Sequence, residues 1–91
     1  MAKILIESEH ELDGCWRFQA RLDDRSVALT MSWADYNHWS PDGRDEPSRV
    51  AEVVLNLMTE LGIDNIPLRF DASMVRRVIG EADHRIQCGL R

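Results

Sequence analysis

The sequence predicts an α+β fold in two layers: an antiparallel meander sheet of three or four strands, with one long amphipathic helix (about 47–61) and one short helix (about 72–79) on one face, in the order β-β-β-α-α-β. Three observations predict it. Three successive segments in the first third alternate apolar and polar residues with period two. Residues 50–61 carry apolar side chains at helical spacing. The length, 91 residues, suits a single domain over 1–91 and is too short for a second core.

The first strand is KILIESEHEL, residues 3–12, with Ile4, Ile6 and Leu12 on one face beside Ser8 and His10, and Lys3, Glu7, Glu9 and Glu11 on the other. The second spans residues 16–22, with Trp16, Phe18, Ala20 and Leu22 on one face and Arg17, Gln19 and Arg21 opposite. Asp13-Gly14 invites a two-residue turn, but that register sets Ile6 against Arg21 and mixes the faces. Pairing Leu12 with Trp16 across a three-residue loop sets Ile6 against Leu22 and Glu7 against Arg21, so a bulged hairpin is expected. A polar turn at 23–26 leads to the third strand, where Val27, Leu29, Met31 and Trp33 continue the apolar face opposite Leu22, Ala20, Phe18 and Trp16.

Pro41 to Pro47 is turn-rich, and its acidic end and proline suit the start of a helix. Val50, Val53, Val54, Leu57, Met58 and Leu61 then form a continuous stripe that Gly62 ends. Asp71 as N-cap, followed by Met74, Val75, Val78 and Ile79 before Gly80, predicts the second helix. Ile86, Cys88 and Leu90 alternate with polar residues and suggest a closing strand.

Hydrophobic residues at 44% and charged residues at 30% are ordinary for a globular chain, which argues against disorder. Apolar runs are far shorter than the roughly 20 residues of a membrane span, and no leader pattern is visible, so a cytoplasmic protein is expected. Net charge is −5, with the acidic excess confined to the first half, which disfavours nucleic acid and anionic membranes as partners. Cys15 and Cys88 stand far apart without zinc-ligand spacing and read as free thiols; no metal and no cofactor is expected. A Cys15–Cys88 disulfide would require the first and last strands to be neighbours.

The most unusual stretch runs from Trp33 to Ser40 and reads as a loop at the end of the third strand. Its Trp33, Tyr36, His38 and Trp39 are candidate binding residues, Trp39 foremost, since aromatic groups with polar handles suit contact surfaces. The competing reading packs these rings into the core of a small domain. Asp35 and His38, with His10 or Cys15 as a third group, have the composition of a nucleophilic site, but no spacing motif joins them and no catalytic residue is assigned. Arg69, Arg76 and Arg77, with Arg85 and Arg91, suggest a local anion-binding face, which Asp71, Glu81 and Asp83 offset. The expected function is a non-enzymatic interaction or regulatory module, using the segment 33–39 or a sheet edge to bind a protein partner or a second copy as a homodimer. The alternative is a small-ligand binder or enzyme with a pocket near Asp35 and His38.

Overall fold

The structure, a computed structural model, describes residues 3–91. Strands β1 (Ile4–Leu12), β2 (Cys15–Leu22) and β3 (Arg25–Ser32) form the antiparallel meander that the alternation predicts. Helices α1 (Trp33–Trp39) and α2 (Pro47–Met58) follow, then a short strand β4 (Arg69–Asp71) and helices α3 (Val75–Val78) and α4 (Ala82–Gly89). The sheet order is β1-β2-β3-β4.

The architecture is α+β, with four corrections. First, β4 pairs parallel to β3, Leu29 opposite Phe70, so the sheet is mixed and not antiparallel throughout. The reason is connectivity: the chain leaves β3, passes through α1 and α2, and returns in the same direction, as a helical crossover does. Second, residues 33–39 are helix and not loop. Ser32 caps it by accepting the Asp35 N–H at 3.1 Å.

Third, the C-terminal segment is α4 and not a closing strand. Ala82, Ile86 and Leu90 stand four apart and form a helical stripe with Ala82 and Ile86 buried, while the seat beside β3 belongs to β4. Cys15 and Cys88 are accordingly both free. Gly89 sits where α4 meets α2, and a Cβ there would come within 2.9 Å of Val53 Cγ1. Fourth, the predicted helix at 72–79 is a 3₁₀ turn, Ala72–Met74, running into the single turn of α3. Its N-cap is Asp71 as expected, accepting the Ser73 N–H at 3.1 Å.

The strand registers also differ from expectation. Leu12 pairs with Cys15 across the two-residue turn Asp13-Gly14, with Gly14 at φ +81°. The bulge lies at Glu7, between Ile6 and Ser8, and there it absorbs the phase mismatch. Before it, Ile4 and Ile6 oppose Leu22 and Ala20 on the core side; after it, the alternation inverts and Glu9 and Glu11 oppose Phe18 and Trp16. Both glutamates are exposed at the outer strand. Between β2 and β3 the turn likewise has two residues, so Ala20 meets Val27 and Phe18 meets Leu29, a shift of two that keeps the apolar face inward.

Of the predicted stripe, Val50, Val54, Leu57 and Met58 are buried and Val53 and Leu61 only partly so, while Leu55 is buried beside it. Val50, Val54, Leu55 and Met58 of α2 are fully buried against the inner sheet face, where Phe18, Leu22, Leu29 and Met31 are equally buried. A 3₁₀ turn, Thr59–Leu61, extends α2 to Gly62, whose φ of +90° ends the helix. Arg25 then ties the following loop to the sheet, its guanidinium donating to the Ile66 carbonyl at 2.7 Å. No helix among the described residues is long and apolar enough to cross a membrane.

Candidate interaction surface

Helix α1 places its aromatic residues on different sides of the molecule. Trp39 points inward and is 2% exposed. Its indole N–H donates to Asp83 Oδ1 at 2.7 Å, and Arg76 Nε donates to the same oxygen at 2.8 Å. Arg76 Nη1 donates to Asp35 Oδ1 at 2.8 Å, and the guanidinium carbon stands 4.9 Å from the centre of the Trp39 ring. His38 Nε2 lies 3.4 Å from Asp83 Oδ2, while its backbone carbonyl accepts from Gln87 Nε2 at 3.0 Å. One guanidinium thus ties α1, α3 and α4 together.

The electrostatics of this cluster favour fixed charge. Burial alone would raise the Asp83 carboxyl, but hydrogen bonds from Trp39 and Arg76 and the nearby positive charge outweigh it and hold the group below its ordinary value. Burial likewise works against the Arg76 charge, and the hydrogen bonds to Asp35 and Asp83 reverse that and strengthen it. At Asp71, burial is again overcome, here by hydrogen bonds from Ser73 and Thr30, so its carboxyl also sits low. Carboxylates held ionised by a guanidinium organise structure; a general acid needs its proton near neutral pH.

Of the expected nucleophilic set, Asp35 and His38 meet only through the Arg76–Asp83 pair, and His10 and Cys15 lie elsewhere. Asp35 belongs to Arg76 and His38 to Asp83, with no hydrogen bond between the two. His10 pairs with Arg17 on the outer face of the sheet, and Cys15, at the start of β2, pairs with Ser32 at the end of β3. Cys88 Sγ does stand 3.6 Å from His84 Nε2, but at the C-terminal end of α4, where the helix dipole opposes a thiolate. The arginines are also divided: Arg76 is spent on two aspartates, while Arg69 and Arg77 are exposed and make no ion pair among the described residues.

Trp33 and Tyr36 face the tip of the β1–β2 hairpin. Trp33 stacks on Trp16 at 5.0 Å between ring centres and 7° between planes, and Tyr36 meets the same Trp16 edge-on at 5.0 Å. The Tyr36 hydroxyl donates to the Asp45 carbonyl, and the Trp33 N–H donates to the Gly14 carbonyl at 3.1 Å, so the corner is anchored from both sides. Trp33 itself stays 44% exposed. Across the strands, Trp16 is the partner of the exposed Glu11, and Phe18 of the exposed Glu9. Farther along β1, Ile4, Leu5 and Ile6 line a groove of about 370 Å³ whose other wall is Glu46, Ser48, Arg49 and Glu52 at the start of α2.

No family model, no curated protein and no solved structure matches the chain.

Asp83 and Gln87, which hold α1 in place, carry no sequence signal that pairs them with Trp39 or His38 across more than forty positions. The Ser32-x-x-Asp35 spacing is a helix-start signature and was readable.

Proposed function

We propose that the chain is a non-enzymatic interaction module whose contact surface centres on Trp33. The observation that carries this reading is the half-exposed indole of Trp33 stacked on Trp16. A large aromatic side chain already held in one orientation offers contact area with little entropy left to lose, which is the property of an interface anchor. Trp39, by contrast, is a core residue and has no surface to offer. The engagement of Asp35 and His38 in the Arg76–Asp83 cluster also favours a binding role over a catalytic one.

The test is affinity capture from the cell of origin, with wild type, Trp33→Ala and Trp33→Phe compared after circular dichroism shows all three folded. Partners retained by wild type and Trp33→Phe and lost by Trp33→Ala support the reading. An unchanged set of captured proteins across the three overturns it.

A further inference from the structure

Strand β1 is the outermost strand of the sheet, nine residues long, and among the described residues it pairs with β2 alone. Its outer edge therefore presents unpaired backbone donors and acceptors, a template for one more strand. The charge along it is of one sign. Glu7 is paired with Arg21 at 3.4 Å and Glu52 across the groove with Arg49 at 3.2 Å, whereas Glu9, Glu11 and Glu46 make no ion pair among the described residues. Glu9 and Glu11 stand on the side of the sheet that carries Phe18 and Trp16, so the acidic run leads into the Trp33 corner.

From this we infer that β1 receives an extended basic segment of a partner protein, added as a fifth strand, with alternate Arg or Lys side chains opposite Glu9 and Glu11. The inference rests on the reading of the chain as an interaction module and names its partner chemistry. Spacing follows from the pleat: side chains two apart share a face, so cations at alternate positions meet both glutamates while the residues between them face Ser8, His10 and Leu12. At the other end of the segment lies the groove between Ile4 and Ile6 and the Glu46, Ser48, Arg49 and Glu52 wall of α2.

A second copy of this chain is the wrong occupant. Antiparallel pairing of two β1 strands centred on Ser8, Glu9 or His10 sets glutamates of the two copies opposite one another, and like charges directly opposed are destabilising.

The experiment titrates the full chain with a fluorescent ten-residue peptide of alternating Arg and Val, and with the same peptide N-methylated at alternate backbone nitrogens. The expected result is binding that weakens steeply between 50 and 500 mM salt, is lost on N-methylation, and slows hydrogen exchange at β1 amides. Glu9→Lys with Glu11→Lys weakens it by more than the roughly 1.4- to fivefold that loss of each pair alone would cost, because like charges then face one another, whereas Glu81→Lys, on the turn before α4, leaves it unchanged. Equal binding of the N-methylated peptide, equal losses in the Glu81 variant, or β1 amides that stay unprotected overturn the proposal. So does a dimer in sedimentation that protects β1 without peptide. If Trp33→Ala abolishes partner capture while the peptide fails to bind, the assignment of β1 falls and the interaction reading stands.

Discussion

Arg76 and Trp39 share one acceptor: the arginine Nε and the indole N–H both donate to Asp83 Oδ1, at 2.8 and 2.7 Å, while the guanidinium stacks over the indole ring. A buried indole, a cation and a carboxylate thus satisfy one another at the seam of three helices that are each too short to be stable alone. The short α3 turn owes its place to this arrangement.

Replacing Arg76 by Ala leaves Asp35 and Asp83 without their cation and removes the stack on Trp39. Partial exposure of the arginine, whose side chain is 33% accessible, tempers the loss, so a destabilisation of about 1–3 kcal/mol is expected in urea unfolding. Arg76→Lys recovers only part of it, because a single ammonium cannot span both carboxylates and lie flat on the ring.

The two tryptophans of α1 should separate sharply. Trp39→Ala opens a core cavity and orphans an Asp83 contact, at a cost of about 3–5 kcal/mol, whereas Trp33→Ala loses one face of a stack and costs about 1–2 kcal/mol. Thermal unfolding of the two variants measures the difference, and equal losses would contradict the burial assigned to them.

Acid should loosen this seam in a defined direction. Asp83 and Asp71 titrate below their ordinary values in the folded chain, so the stability they confer is complete above the unfolded Asp pKa of about 3.9 and disappears as pH falls through the folded values. Asp83→Asn is expected to be less stable than wild type at pH 7 and to lose less on acidification, so that the two unfolding free energies converge towards pH 2. Parallel pH profiles would refute the role given to the carboxylate.

Gly89→Ala tests the contact between α4 and α2. Alanine improves helix propensity by up to about 1 kcal/mol, yet its methyl carbon would lie 2.9 Å from the stiff, β-branched Val53. The clash should win, with a net destabilisation of about 1 kcal/mol, and Val53→Ala in the same chain should relieve it. A stabilised Gly89→Ala variant would show that α4 packs less closely.

The meander was legible because period-two alternation in β2 and β3 is a property of neighbouring residues and survives any register. The stripe from Val50 to Met58 was legible for the same reason with period 3.6, and Asp71 as a cap because its bond to Ser73 spans two residues. The register of β1 was not, since nothing in KILIESEHEL marks Glu7 as the point where the alternation inverts. Segment 33–39 is helix where a loop is expected, and α4 takes in Ile86 and Cys88 where their alternation with polar residues suggests a strand; the helical signals, the Ser32 cap and the Ala82-Ile86-Leu90 spacing, are outweighed by aromatic content and a brief alternation.

At the candidate surface, the sequence pointed to a stretch of aromatic residues and no further. Which ring is core and which is exposed depends on partners far along the chain: Asp83 and Arg76 draw Trp39 inward, and Trp16 holds Trp33 at the surface. By itself, then, the sequence determined the class of each well-patterned element, the inward face of β2 and β3, the apolar stripe of α2 and the acidic excess of the first half. The tertiary structure alone decided the parallel seat of β4, the free edge of β1 and the pairing of Arg76 with two aspartates. Periodicity follows from backbone geometry over a few residues, whereas strand direction, edge exposure and charge pairing follow from which distant segments compete for the same neighbour.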